Sequence, residues 1–128
     1  MSILPGSPRQ RGQWAEQAAA DYLKAQGLHE VERNYRCRCG EVDLIMHQQK
    51  TLVFVEVRYR TGNRYGHPLE TIDFRKRGRI LKTARHYLQT HPSAGRQPCR
   101  FDVVAVGGGP EKPELEWIKG AFEASPST

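Results

Sequence analysis

The sequence contains no apolar run that approaches the length of about 18 residues needed to cross a bilayer. The first ten residues include Pro5, Gly6 and Pro8 and have no apolar core of the kind that marks a secretory signal peptide. Cysteine is scarce and odd in number, with three in the chain, which argues against a disulfide framework. These absences predict a soluble protein of the cytoplasm that does not engage membranes.

The three cysteines also lack the spacing of a structural zinc site. Cys37 and Cys39 are separated by one residue, and Cys99 is far along the chain. A zinc knuckle has two residues between its first pair of ligands, followed by a second pair of Cys or His at finger spacing. We therefore expect free thiols.

The length and composition fit one globular domain. The chain has 128 residues, of which 38% are hydrophobic and 27% are charged, enough to bury a core without covalent cross-links. Breaker residues and a lack of periodicity at the ends suggest a mobile N-terminal arm over residues 1–10 and a tail over 123–128. Residues 11–122 are then the folded domain.

The positive charge is concentrated in one segment. The chain carries a net charge of +6, whereas the segment from Arg58 to Arg85 alone has nine Lys or Arg and two acidic residues. A localised excess of this kind suits a polyanion, while a merely soluble surface intersperses its signs. Nucleic acid is therefore the predicted partner.

The stretch from Gly40 to Arg60 predicts two neighbouring strands. Apolar residues alternate with polar ones in both halves, and the polar segment from His47 to Lys50 between them favours an antiparallel hairpin. Because neighbouring strands lie about 4.8 Å apart, Asp43 on the first and Glu56 on the second converge if the register allows it.

Carboxylates on otherwise apolar strands need compensation, since burying an unpaired charge is costly. Two explanations stay open. The first is an ordinary ion pair with Arg58, which lies two residues after Glu56 on the same strand face. The second is a divalent cation, because two close carboxylates repel unless a hard metal such as Mg²⁺ lies between them.

These residues also carry a resemblance to a known family. Asp43, then Glu56 followed by one hydrophobic and one basic residue, is similar to the PD-(D/E)xK signature of nucleases. The wider pattern resembles the YraN-like family of small bacterial proteins and extends from Gly12 to Phe122. The matching residues are Glu16, Asn34-Tyr35-Arg36, Gly40 to Ile45, Val53 to Arg58, Gly66 and Arg100 to Val104.

The resemblance implies an α/β, restriction-endonuclease-like fold with an αβββαβ core, a mixed sheet flanked by helices, similar to archaeal Holliday junction resolvases. It implies that Asp43, Glu56 and the carbonyl of Val57 hold Mg²⁺ or Mn²⁺. Glu16 on the first helix would join them, although a solvent-exposed rim glutamate explains that residue equally well. With Arg58, these carboxylates form the implied catalytic set.

Arg58 departs from the signature, which usually has lysine at this position. Arginine holds phosphate bidentately, but with a pKa above about 12 it does not act as a general base. The function prediction is therefore twofold: a metal-dependent endonuclease acting on structured or branched DNA, or a non-catalytic nucleic-acid-binding protein with a nuclease-like fold. A protein-interaction adaptor is a third reading, and homodimer formation is left open.

Basic and aromatic residues after the hairpin are candidates for phosphate contact and base stacking. The set is Arg60, Arg64, Tyr65, Arg75, Lys76, Arg79 and Lys82. Most lie on a helix that we expect Thr71 to cap, although a solvated basic face explains the same pattern. Lys76 could replace the missing lysine only if this helix begins beside the carboxylates.

The remaining elements follow from periodicity and breakers. We predict a first helix over Gly12–Gln26, a strand within Leu28–Arg38, a core strand over Cys99–Val106 and a short edge element over Leu115–Phe122. On the second helix, the apolar side is expected to include Phe74, Ile80, Leu81, Ala84, Tyr87 and Leu88. Roles for Glu41 and Arg77 stay open, and Asp102 is either an ion-pair partner of Arg58 or Arg100 or part of a metal site.

Overall fold

The structure, a computed structural model, describes residues 6–60 and 72–122. Its elements are α1 (Pro8–Ala25), β1 (His29–Cys37), β2 (Gly40–Gln48), β3 (Thr51–Tyr59), α2 (Phe74–Thr90), β4 (Cys99–Gly109) and β5 (Lys112–Phe122), with a 3₁₀ turn over Ala94–Arg96 before β4. The predicted order is confirmed, and the α/β fold is consistent with a restriction-endonuclease-like core. Neither helix in the described ranges is long and apolar enough to cross a membrane.

The five strands form one mixed sheet in the order β1-β2-β3-β4-β5. β3 and β4 are parallel and are connected through α2, while the other neighbours are antiparallel. The predicted hairpin is confirmed: Gln48 pairs with Thr51, so the turn consists of Gln49 and Lys50. This short turn fixes the register of β2 against β3.

The two helices pack on opposite faces of the sheet, because alternate residues of β3 belong to different apolar clusters. Leu52 and Phe54 pack with α2, whereas Val53 and Val55 pack with α1. The α1 side buries Ala15, Ala19, Ala20 and Leu23, and the α2 side buries Ile80, Ala84 and Tyr87. Small alanines let α1 approach the sheet closely.

The first helix starts at Pro8, four residues before the predicted start at Gly12, and so takes in residues 8–10 that we assigned to the arm. The reason is a capping box, in which the Ser7 hydroxyl accepts from Gln10 N and the Gln10 side chain accepts from Ser7 N. Pro8 at the first helical position suits this start.

The second helix is capped by Asp73, whose carboxylate accepts from Lys76 N at 2.9 Å. Thr71, the residue that we expected in this role, lies outside the described residues. The placement of Phe74 on the apolar side was wrong, since its side chain is 88% exposed. In the first turn of α2, Lys76 lines a polar cavity, and the buried apolar residues of the helix begin at Ile80.

A kink in β1 and β2 positions the site. Arg33 pairs with Leu44 and Tyr35 with Val42, while Asn34, between them, has a φ of 56°. Asparagine tolerates this left-handed conformation better than most residues. Val42 consequently packs on the α2 side while Leu44 packs on the α1 side, which interrupts the predicted alternation of the strand at Asp43.

Candidate active site

The β2–β3 ladder ends at the pair Leu44 and Val55, just before Asp43 and Glu56 would face each other. Beyond that point the Asp43 side chain takes over the hydrogen bonding, since its Oδ2 accepts from Val57 N at 2.8 Å. The N–H and C=O of one strand residue point towards the same neighbouring strand. The carbonyl of Val57 therefore points to the Asp43 side as well.

Glu56 is buried, with 5% of its surface exposed, and accepts from two cations. Its Oε2 lies 2.8 Å from Lys76 Nζ and 3.3 Å from Arg58 Nη1. Lys76 could replace the missing lysine only if its helix began beside the carboxylates, and α2 does begin there. The basic group nearest to Glu56 thus comes from a helix rather than from the position two residues along the strand.

Asp43 and Glu56 line a common cavity of about 200 Å³ between the sheet and the start of α2. The other lining residues are Gly40, Glu41, Lys76, Arg79 and Ile80. Gly40 has a φ of 151°, and a Cβ there would lie 3.2 Å from Thr83 Oγ1 and 3.3 Å from Arg79 Cβ. Glycine at this position lets the beginning of β2 approach α2 and so forms one wall of the cavity.

The pKa of Asp43 reflects both its burial and the carboxylate of Glu56 nearby. Burial raises the pKa of Asp43 well above its usual range, the nearby Glu56 charge raises it further, and the hydrogen bond from Val57 opposes the shift. A cation at this point would relieve the same repulsion.

Glu16 does not line the cavity. It projects from α1, on the opposite face of the sheet, and hydrogen-bonds Asn34 at the kink. Burial raises its pKa, the Asn34 hydrogen bond counters this, and the charges of Glu41 and Glu56 add to the rise. It is thus within electrostatic reach of the cavity, while its predicted catalytic role stays a prediction.

Within residues 6–60 and 72–122, no three His, Cys, Asp or Glu side chains cluster closely enough to bind a metal ion. Glu41 lines the cavity, but its carboxylate accepts from Arg36 Nε at 3.0 Å. Of the predicted metal ligands, Asp43 and Glu56 line the cavity, and the role of the Val57 carbonyl as a ligand stays a prediction.

The residues predicted to bind nucleic acid are dispersed over the structure. Lys76 and Arg79 line the cavity, and Arg75 and Lys82 are exposed elsewhere on α2. Arg60 lies at the end of β3 and pairs with Glu116 at 3.4 Å, away from the lining residues. Arg64 and Tyr65 lie outside the described residues.

Asp102 belongs to a different, structural site. It is fully buried and accepts from Arg100 Nε at 2.9 Å, from Trp117 Nε1 at 2.9 Å and from Gly120 N at 3.0 Å. Of the alternatives left open for it, the ion pair with Arg100 is the one observed. Arg77 is similarly engaged away from the carboxylates, donating to Ile72 O at 3.1 Å.

Sequence reasoning missed two contributors to the site. Asn34 was part of the matching pattern, but its left-handed backbone and its bond to Glu16 were not foreseen. Glu41 precedes Asp43 by two residues, and this spacing was a signal that both could lie near one pocket.

The chain was compared with known proteins. The model of the uncharacterised protein family UPF0102 matches residues 15–106. A UPF0102 protein of Methylococcus capsulatus is 53% identical over 113 residues, covering 88% of this chain and 90% of the relative. A second, from Nitrosomonas europaea, is 50% identical over 115 residues, covering 90% and 95%.

A third relative, the UPF0102 protein of Nitrosococcus oceani, is 44% identical over 120 residues and covers 94% of this chain and 97% of its own. Among solved structures, SfsA of Pyrococcus furiosus in complex with Ca²⁺ aligns with a TM-score of 0.39 and 13% identity. The alignment covers 92% of this chain and 66% of that protein.

Proposed function

The chain belongs to the uncharacterised protein family UPF0102, and from the geometry of its cavity we propose that it is a metal-dependent nuclease. The substrate that we propose is structured or branched DNA, the class implied by the resemblance of its motifs to those of junction resolvases. The observation that carries the proposal is the convergence of Asp43 and Glu56 in one cavity beside Lys76 and Arg79.

The cavity residues fit a hard divalent cation. Mg²⁺ prefers oxygen ligands and usually binds through one or two carboxylates while keeping several waters. Asp43, Glu56 and the carbonyl of Val57 supply such oxygens. Burial, and after it the charge of Glu56, raises the pKa of Asp43, and a cation would offset both effects. A bound Mg²⁺ or Mn²⁺ would lower the pKa of a ligated water and neutralise charge on the scissile phosphate.

The chain's own residues position the other participants. The Val57 N–H holds one oxygen of Asp43 in place. Lys76 and Arg58 both contact Oε2 of Glu56, which orients that carboxylate. Lys76 and Arg79 place positive charge on the wall of the cavity, where it attracts a phosphodiester and stabilises the negative charge that develops during its cleavage.

A second function, non-catalytic nucleic-acid binding, is favoured by one specific observation. Glu56 already contacts two cationic side chains, Arg58 and Lys76, so its charge is compensated by the protein itself. This alternative gives binding that weakens steeply with salt but is indifferent to EDTA and to Glu56→Gln.

Calorimetric titration of Mg²⁺ and Mn²⁺ into wild type and Asp43→Asn tests the proposal, together with cleavage assays on junction, flap, duplex and single-stranded DNA. We expect the wild type to bind metal and cut at least one substrate, and Asp43→Asn to lose both properties. Asp21→Asn, which removes an exposed carboxylate from α1, is the matched control and should behave as wild type. A wild type that cuts none of the substrates with either metal contradicts the proposal.

A further inference from the structure

An aromatic ring stands exposed where α2 begins. Phe74 is the first residue of the helix and is 88% exposed, while the other exposed large hydrophobic residue in the described ranges, Val31, is 45% exposed. Single exposed apolar residues are common on proteins and need no explanation by themselves. Phe74 differs because of what surrounds it.

The ring is backed by an anchored cation. Arg77 Cζ lies 5.8 Å from the centroid of the Phe74 ring and 5.9 Å from that of Phe122. The same guanidinium group donates to Ile72 O at 3.1 Å, which ties it to the backbone just before the helix. This contact supports the ring, while most of the ring surface remains open to solvent.

The ring lies at the same end of α2 as the cavity but projects from another side of the helix. Lys76, two residues along, lines the cavity and is separated from Phe74 by about 3 Å along the helix axis and about 200° around it. Arg75 is exposed beside the ring, and Arg79 lies one turn further along. Aromatic faces interleaved with basic side chains are the chemistry by which proteins hold unpaired nucleotides.

We propose that Phe74 stacks on an unpaired base of a nucleic acid whose strand passes over the start of α2 to the cavity of Asp43 and Glu56. This inference rests on the proposed function and narrows its substrate to DNA with single-stranded or splayed nucleotides. A paired base inside a duplex is already stacked on both faces and offers no surface to the ring.

The experiment measures binding of the full chain in EDTA, where cleavage does not interfere. The probes are a single strand and a splayed-arm fork, each with 2-aminopurine at one unpaired position, and a duplex of the same sequence. The proteins are wild type, Phe74→Ala, Phe74→Trp and, as the matched exposed-hydrophobe control, Val31→Ala. Thermal denaturation checks that all four proteins are folded.

We expect Phe74→Ala to weaken binding to the single strand and the fork by about 5- to 100-fold, the range for one aromatic-stacked base. Duplex binding and the salt dependence of log K should change little, because no charge is removed. Wild type and Phe74→Trp should quench 2-aminopurine fluorescence, whereas Phe74→Ala should not. Val31→Ala should match wild type.

The inference is overturned if Phe74→Ala binds the unpaired probes like wild type, if wild type binds none of them, or if Phe74→Ala only converts a dimer to a monomer in sedimentation. The proposed function fails separately. If wild type quenches the probe in EDTA but cuts no DNA with Mg²⁺ or Mn²⁺, the stacking inference stands and the nuclease proposal fails. If wild type cuts DNA and Phe74→Ala cuts it equally well, the nuclease proposal stands and the stacking inference fails.

Discussion

Two buried carboxylate sites occupy the same sheet and are built in opposite ways. Asp102 has an arginine, an indole N–H and a backbone N–H on its two oxygens. Asp43 instead lies against a second carboxylate, Glu56, and has a strongly raised pKa. Removing one partner of a fully paired buried charge is strongly destabilising, whereas a carboxylate with a strongly perturbed pKa in a cavity is a candidate functional group.

The surroundings of the two sites also differ, because Asp102 is enclosed by its partners whereas Asp43 lies beside a cavity. The partners of Asp102 come from β4 and β5, and Gln48 at the end of β2 supports Arg100 by accepting from its Nη2 at 2.7 Å. The site is closed and involves no cavity residue. The Asp43 site lies where β2 and β3 separate and where a helix beginning with charged residues faces the opening. Perturbing each site should therefore affect a different property of the protein.

Asp102→Ala should give the largest effect, and on stability alone. It leaves Arg100, the Trp117 N–H and the Gly120 N–H without their acceptor in a buried position. We expect unfolding free energy to fall by about 3 kcal/mol, the lower end of the range for breaking a buried pair, since Arg100 remains 26% exposed. Urea denaturation measures this. Metal binding per folded molecule should be unchanged, and a loss of metal affinity would contradict the separation of the two sites.

Lys76→Ala should mainly affect chemistry. The change removes the cation that lies 2.8 Å from Glu56, while Arg58 remains on the same carboxylate. We expect DNA cleavage to slow by about 10²-fold, as for the loss of one preorganised electrostatic group. Metal affinity measured by calorimetry should not weaken, because a competitor for Glu56 is gone. Arg75→Ala, one residue away and exposed, is the control; equal losses in both variants would show that only general charge matters.

Asp43→Asn should stabilise the metal-free protein, whereas most substitutions at buried sites destabilise it. Because the pKa of Asp43 is raised in the folded state, the folded protein binds more protons between its usual value of 3.8 and the raised value. The stability of the metal-free protein therefore falls as pH rises across that interval. Asparagine can still accept from Val57 and donates to Glu56, so the variant should lack this fall and gain roughly 0.5–2 kcal/mol at neutral pH.

Added metal should make the wild type more stable than Asp43→Asn. Mg²⁺ at 100 times its dissociation constant stabilises the wild type by about 2.7 kcal/mol, and it should leave Asp43→Asn unchanged. Thermal denaturation with EDTA and with Mg²⁺, at several pH values, measures both effects. A metal-free Asp43→Asn that is less stable than wild type at neutral pH would show that the carboxylate pair is not under repulsion.

The meeting of the two carboxylates at one site was largely predictable from the sequence, because the alternating strand pattern and the short polar turn determine the hairpin. The two-residue turn at Gln49 and Lys50 sets the register, and Asp43 and Glu56 follow directly after its last pair, Leu44 and Val55. The approach of Lys76 to Glu56 was not predictable in the same way. It depends on where α2 starts. Thr71 and Asp73 are both good capping residues, and we expected Thr71 in this role, whereas Asp73 caps the helix.

Two further features depend on tertiary placement. Phe74 fits the helical apolar stripe by periodicity, yet it is 88% exposed, and the stripe packs against the sheet only from Ile80 onwards. The partner of Asp102 could not be assigned because Arg58 and Arg100 were both candidates. Strand pairing decides this, since it brings Trp117 and Gly120 of β5 to Asp102 and so builds the site around Arg100.

Arg79→Ala should give the smallest effect, and it tests whether the cavity wall contacts a phosphate. Arg79 is exposed and lines the cavity, and its Cβ, which lies against Gly40, is kept in the variant. If it neutralises one phosphate, the slope of log K against log salt should become shallower by about one unit, with uniform weakening across DNA sequences. Arg96→Ala, in the 3₁₀ turn beyond the end of α2, removes the same charge away from the cavity and should leave the slope unchanged. Fluorescence anisotropy in EDTA at several salt concentrations measures both variants; identical slopes for Arg79→Ala and Arg96→Ala would place the bound phosphate away from the carboxylates.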